Sequence, residues 1–203
     1  IIGVQFGIAN PQDILARSVV EVFTDKAYQG NQPVSGGVFD ARFGVIENGK
    51  VCPTCKQTNA GCPGHFGHIK LARPVYLYQF LDSIQKILQV VCLNCSNPYL
   101  PVEDLNTISP NLTGIDRFDA VRQKTIVYET TGDGSGFCST CKSRAVRKAE
   151  KVENTVASLQ AKFYGKGDDE IAPIDLQSEM VLRCFQRISD QDVKRIGFHP
   201  KFS

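Results

Sequence analysis

Cys52-Pro53-Thr54-Cys55-Lys56-Gln57-Thr58-Asn59-Ala60-Gly61-Cys62-Pro63-Gly64-His65 puts three thiols and an imidazole into one short stretch. Two residues between Cys52 and Cys55 let one tight turn aim both side chains at a point, and the spacing recurs from Cys62 to His65. That arrangement suits a tetrahedral ion with metal–sulfur bonds of about 2.3 Å. Two further pairs share the form: Cys92-Leu93-Asn94-Cys95 and Cys138-Ser139-Thr140-Cys141. Counted in fours, the ligands form one set of Cys52, Cys55, Cys62 and His65 and another of Cys92, Cys95, Cys138 and Cys141. The halves of the second set are separated by a 42-residue insert, 96–137. Two complete tetrahedral sets predict two structural zinc ions, because a catalytic site keeps one position open for water.

The competing reading is a redox dithiol. It needs a C-x-x-C that opens a helix after a βαβ strand, and no such frame is visible. His68 is the fallback ligand after Cys62, but its spacing does not mirror the pairs, and it reads as a packed or solvated histidine. His199 reads as a surface residue. Cys184, inside Met180-Val181-Leu182-Arg183-Cys184-Phe185, reads as a buried apolar side chain.

The chain has 203 residues, 42% of them apolar, which is enough for a packed core and too much for a disordered chain. A net charge of +2 excludes nucleic-acid binding through bulk positive charge, so any such contact must be local. The local candidate follows Cys141, where Lys142, Arg144, Arg147, Lys148 and Lys151 cluster; its plain reading is a solvated surface and its sharp reading is phosphate contact. No apolar run approaches the ~18 residues of a membrane span, and no basic leader with an apolar stretch indicates secretion. The chain opens on Ile1 without a methionine and reads as a piece of a longer protein.

Along the chain, Asn10-Pro11 followed by Asp13 predicts a helix start, and Ser18-Val19-Val20-Glu21-Val22 a strand. Residues 24–50, with glycines at 30, 36, 37, 44 and 49, read as loop. Apolar residues at 77, 80, 81, 84, 87, 88 and 91 predict a helix of about four turns leading into Cys92 and rigidly linking the two metal sets. The insert holds a predicted helix from Asp116 to about Lys124. Gly132, Gly134 and Gly136 read as a flexible turn, which is not a phosphate loop because the Gly-Lys-Ser/Thr ending is missing. Val156, Ala157, Leu159, Ala161 and Phe163 predict a strand, and a turn follows at 165–169. Ser178 or Asp175 is expected to cap a helix to about Arg187, and Ser189 to open a short one that Gly197 stops.

Several of these motifs resemble one family, the largest subunit of multisubunit DNA-directed RNA polymerase. The carriers are Val4-Gln5-Phe6-Gly7-Ile8 with Ser18–Val22, Gly36-Gly37-Val38-Phe39-Asp40-Ala41-Arg42-Phe43-Gly44, and the first ligand set through Phe66-Gly67-His68-Ile69. Leu71-Ala72-Arg73-Pro74-Val75, Phe185-Gln186-Arg187-Ile188-Ser189-Asp190-Gln191-Asp192-Val193 and Ile196-Gly197-Phe198-His199-Pro200 also fit. The likeness is closer to eukaryotic, archaeal and large-DNA-virus forms than to bacterial ones. A glycine commonly follows each C-x-x-C pair in this family, whereas Lys56, Ser96 and Lys142 stand there in this chain.

The resemblance implies an α+β, loop-rich amino-terminal clamp segment with two structural zinc sites, short strands and a few helices. It divides the chain into a leader (1–50), a first zinc knuckle (51–75), a helix and clamp head with the second zinc site (76–145), and a strand hairpin with carboxy-terminal helices (146–203). It implies closure over the DNA–RNA hybrid in the full enzyme, with other polymerase subunits and initiation and elongation factors as partners and no membrane. Catalysis in the family uses two Mg²⁺ on an Asp-x-Asp-x-Asp loop, and no such loop occurs in these 203 residues, so the segment alone is expected to be inactive. The location implied is intracellular, either the nucleus or, for a virus, the virion or viral factory. A free-standing zinc-ribbon adaptor that binds protein or nucleic acid is the alternative.

Overall fold

The computed structural model describes residues 3, 7–131, 136–152, 158–164 and 172–199. The chain divides into two compact units, residues 1–72 and 73–203. Residues 132–135 of the expected glycine turn, the expected turn at 165–169, and residues 156 and 157 of the predicted strand lie outside the described residues. The architecture is α+β and loop-rich, as the sequence implied, with short helices and antiparallel strands. None of the described helices is long and apolar enough to cross a membrane.

In the first unit, α1 (Pro11–Arg17) begins as expected. The Asn10 side chain accepts the Asp13 amide at 2.8 Å, the Asp13 carboxylate accepts the Asn10 amide at 3.3 Å, and proline fills the first helical position. The strand predicted at 18–22 is reduced to one parallel bridge, Glu21 to His68. The Val19 amide reaches the Phe66 carbonyl and the Val22 amide the His68 carbonyl, both at 2.9 Å. The His68 amide returns to the Val20 carbonyl at 3.0 Å. Residues 24–50 are mostly loop, broken by a minimal hairpin, β1 (Tyr28–Gln29) with β2 (Gln32–Pro33), and a 3₁₀ turn at Ala41–Phe43.

Buried Asp40 organises the Gly-rich part of this loop. Its carboxylate accepts the Gly36 amide at 2.7 Å and the Arg42 amide at 2.9 Å, and it pairs with the Arg42 guanidinium at 2.7 Å. Arg42 and these amides, working against burial, hold the carboxyl well below its usual range. Gly36 has φ 75°, and a Cβ there would lie 2.2 Å from the Phe23 ring, so only glycine fits.

The second unit contains the apolar cores. The helix predicted to run to Val91 is α2 (Leu81–Leu88), preceded by a 3₁₀ turn at Tyr78–Phe80. It ends early because Val90 and Val91 are drawn into extended pairing: the Tyr99 amide bonds the Val90 carbonyl at 2.9 Å and Val91 bridges Pro98. The unforeseen α3 (Val102–Asn106) and the 18-residue α4 (Gly114–Thr131), longer than the predicted 116–124, follow.

A three-stranded antiparallel sheet orders β3 (Val146–Lys151), β4 (Leu159–Phe163) and β5 (Ile174–Leu176) in sequence. α5 (Ser178–Gln186) and α6 (Asp190–Arg195) close the unit. Ser189 caps α6 by accepting the Asp192 amide at 3.1 Å, as expected. The expected cap of α5 is corrected: Gln177 holds the cap position without a side-chain bond, and the Ser178 hydroxyl instead donates to the Pro74 carbonyl.

Two apolar clusters result. Leu81 and Leu88 of α2 pack with Val146, Ala149, Leu159, Ala161, Leu176 and Val181. Val90, Val91, Leu100, Leu105, Phe118, Val121, Cys184 and Ile196 form the other.

Candidate metal centres

Each C-x-x-C pair sits in a hairpin of one repeating form. The amide four residues after the first cysteine returns to that cysteine's carbonyl: Lys56 to Cys52 and Ser96 to Cys92 at 2.9 Å, Lys142 to Cys138 at 3.0 Å. The first cysteine's amide reaches the carbonyl five residues on: Cys52 to Gln57 and Cys92 to Asn97 at 2.9 Å, Cys138 to Ser143 at 2.8 Å. Bridges Val51–Thr58, Val91–Pro98 and Phe137–Arg144 close the three hairpins. The turn requires a left-handed residue after the second cysteine. Lys56, Ser96 and Lys142 take φ of 61°, 63° and 59°, the only positive-φ non-glycine residues among those described. The knuckle forms without glycine and carries the backbone cost of that choice.

The fourth half, Cys62 to His65, is a different loop. The Cys62 amide bonds the Thr58 carbonyl at 2.9 Å, Gly64 has φ 80°, and the His65 amide bonds the Phe43 carbonyl at 2.8 Å.

These loops bring the eight predicted side chains together in two groups: Cys52, Cys55, Cys62 and His65, and Cys92, Cys95, Cys138 and Cys141. Within each group the ligand atoms lie within 4.8 Å of one another. Cys92 Sγ is 3.6 Å from Cys141 Sγ, Cys95 Sγ is 3.6 Å from Cys138 Sγ, and Cys62 Sγ is 3.6 Å from His65 Nε2. Tetrahedral zinc places sulfurs about 3.8 Å apart and sulfur and imidazole nitrogen about 3.6 Å apart, whereas a disulfide needs about 2.0 Å. All eight cysteines are free thiols. The donor set and spacing therefore fit one divalent, sulfur-seeking ion in each group.

Electrostatics point the same way. Burial works against ionisation of Cys52, but the amides of Cys55 and Thr54 outweigh it and bring this thiol down to about 6. Burial also works against ionisation of half-buried Cys141, but the Ser143 hydroxyl and amide with the Asn94 side chain bring it down to about 6. Burial pushes Cys95 up to about 12, with its thiol neighbours adding to the rise. One thiol in each group, Cys52 and Cys141, is thus the readier to ionise.

The remaining candidates fall as follows. His68 is outside the first group; its Nδ1 lies 2.7 Å from the Ser18 hydroxyl and its Nε2 3.9 Å from Glu21. His199 is exposed. Cys184 is fully buried and belongs to a core, yet its thiol also donates to the Cys92 carbonyl at 3.4 Å, and the Ser96 hydroxyl lies 3.6 Å from its sulfur.

The basic cluster is less free than its sequence suggests. Lys148 and Lys162 both pair with Glu150, at 2.8 and 2.7 Å. Arg144 lies over the Phe137 ring at 5.5 Å and donates to the Tyr164 carbonyl at 3.3 Å. Lys142 and Arg147 are exposed. Sequence reasoning missed Ser143, whose hydroxyl lies 2.9 Å from Cys141 Sγ and 3.2 Å from Cys92 Sγ. Its only signal was a hydroxyl two residues past a C-x-x-C pair.

Comparison with known proteins matches the whole chain, residues 1–203, to the family model described as RNA polymerase Rpb1, domain 1. The chain is 32% identical over 96% of its length to "DNA-directed RNA polymerase II subunit RPB1" of Euplotoides octocarinatus, covering 42% of that protein. It is 30% identical over 99% of its length to "DNA-directed RNA polymerase subunit Rpo1N" of Sulfolobus acidocaldarius, covering 22% of it. The Rpo1N of Methanothermobacter thermautotrophicus is 29% identical over 98% of the chain, which covers 21% of it. The chain thus spans less than half the length of these relatives. With both ligand groups in place and the match running from end to end, the chain belongs to the family of RNA polymerase Rpb1, domain 1.

Proposed function

We propose that this chain is the clamp segment of the largest subunit of a DNA-directed RNA polymerase, a stiff jaw that closes over the DNA–RNA hybrid and docks initiation and elongation factors. The observation that carries this reading is the pair of closed four-ligand groups within a chain of the Rpb1 family. Zinc bound by Cys52, Cys55, Cys62 and His65, and by Cys92, Cys95, Cys138 and Cys141, supplies fixed tetrahedral cross-links. Structural zinc contributes on the order of 10 kcal/mol or more to local folding. Four protein donors leave no position for a reacting water, so the role is mechanical. Nucleotidyl transfer belongs to Mg²⁺ held by residues outside these 203, and the segment alone is inactive.

Lys142 and Arg147 are the cations we assign to phosphate contact, with Arg144 and Lys148 engaged within the protein. The working location is intracellular, wherever the polymerase transcribes.

Metal analysis of the intact subunit with thiol titration tests the reading. Two zinc ions attributable to this segment, with its seven ligand cysteines protected in the native state, support it. Less than one zinc, with six or more of its thiols reactive, contradicts it. A segment that folds and functions apart from the other subunits supports the adaptor instead.

A further inference from the structure

The three C-x-x-C hairpins share one backbone, so the same structural position can be compared three times. Five residues past the first cysteine stand Gln57, Asn97 and Ser143. In each hairpin this residue's carbonyl accepts the first cysteine's amide. Glutamine and asparagine carry their polar atoms on longer stems. A serine hydroxyl sits one bond from Cβ and can fold back over the turn. Ser143 does so: its Oγ is 2.9 Å from Cys141 Sγ and 3.2 Å from Cys92 Sγ. These two sulfurs belong to different hairpins, 49 residues apart in sequence, and are 3.6 Å from each other. A single hydroxyl therefore straddles the seam between the halves of the second group.

The two groups differ in charge. Three thiolates and a neutral imidazole around a divalent ion leave one net negative charge, whereas four thiolates leave two. The group with the larger excess is the one that carries the hydroxyl. Among the described residues, no hydroxyl hydrogen-bonds a sulfur of the first group, where the Thr54 hydroxyl donates instead to the Arg42 carbonyl at 2.8 Å. A donor next to a metal-bound thiolate draws electron density from sulfur and fixes its direction, and loss of such a partner commonly costs 10- to 100-fold in metal affinity.

We infer that Ser143 is a positioning residue for the second metal centre, its hydroxyl spanning Cys92 and Cys141 to hold the two hairpins in register and offset the extra negative charge of the four-thiolate set. The inference rests on the reading of this group as a metal centre. It requires that loss of the hydroxyl weaken the second centre alone, and that a threonine restore it.

The test compares wild-type, Ser143→Ala and Ser143→Thr forms of the intact subunit, incubated with EDTA and pulsed with N-ethylmaleimide. Labelling is then resolved cysteine by cysteine from peptide masses. The expected result for Ser143→Ala is labelling of Cys92, Cys95, Cys138 and Cys141 about tenfold faster than wild type. Cys52, Cys55 and Cys62 keep the wild-type rate, and Ser143→Thr returns the second group to near that rate. Wild-type labelling of the second group in Ser143→Ala overturns the inference. So does equal acceleration in both groups, which signals general loosening, or a threonine variant as labile as the alanine one. Immediate labelling of the second group in the wild type without EDTA overturns the metal reading itself, a failure distinct from that of Ser143.

Discussion

The two four-ligand groups share the C-x-x-C knuckle and lie in opposite surroundings. The first joins one knuckle to an unrelated Cys-Pro-Gly-His loop, in a unit whose described elements are a seven-residue helix, a hairpin of two-residue strands and a 3₁₀ turn. Among the described apolar residues of that unit only Val20 and Cys52 are buried, while Phe23, Ile46 and Phe66 are 77%, 91% and 74% exposed. The second joins two identical knuckles and lies on a core. Cys92 and Cys138 are buried with Tyr99 and Ala145, and the Tyr99 hydroxyl accepts the Val146 amide at 3.1 Å. Both of its hairpins extend one pairing further, Tyr99 to Val90 and Ala145 to Gly136. On the proposed reading, an ion in the first group would stand in for a hydrophobic core, and one in the second would reinforce a core that exists.

The sharpest way to break this comparison is to remove one ligand from each group. Cys55→Ser should abolish the fold of the first unit, whereas Cys95→Ser should leave the clusters around Leu159 and Val121 intact while opening the knuckles. Circular dichroism and zinc content on each variant check this. Equal structural loss in both variants would contradict it.

Smaller in size is a pH effect confined to the second unit. Both oxygens of Glu129 are buried without a hydrogen-bond partner among the described residues. Burial pushes its carboxyl up to about 7. The unfolded chain ionises this group near 4.5, so between about 4.5 and 7 the native state holds more protons and stability falls as pH rises. Glu129→Gln should therefore leave stability at pH 4 unchanged and raise it at pH 8 by roughly 3 kcal/mol. Denaturant midpoints at the two pH values measure it.

Next is the left-handed turn. Lys56→Gly and Lys142→Gly should each stabilise their hairpin by about 1 kcal/mol by relieving the backbone cost. Ser96→Gly should gain less, because it also removes the hydroxyl beside Cys184. Chelator-competition midpoints resolve the three.

The smallest effect belongs to the surface. Neutralising Lys142 and Arg147 should weaken DNA retention by the whole polymerase and lower the salt slope by about 1 to 2. Neutralising Lys148, already paired with Glu150, should change it less.

The ligand groups were legible in the sequence because a two-residue spacer encodes a turn directly. The helix starts at Asn10-Pro11 and Ser189 were legible because caps are local. β3 was hidden. A register shift between Val146 and Lys148 places its inward residues, Val146 and Ala149, three apart, so no alternation appears and the stretch reads as a basic patch. The end of α2 was misread because Val90 and Val91 continue the helical spacing, while the knuckle's long-range pairing claims them. The left-handed turns at Lys56, Ser96 and Lys142 were concealed by the absence of glycine, and only the geometry reveals them.

Residue-resolved amide exchange of the intact subunit, before and after metal removal by chelator, shows whether metal holds the first unit together. Protection of the amides of Val19, Val22, Cys52, Lys56, His65 and His68, all hydrogen-bonded in the native fold, should collapse when metal is withdrawn. Protection in α4 and β4 should survive. Unchanged protection across residues 19–68 after complete metal removal would mean that the first unit folds without metal.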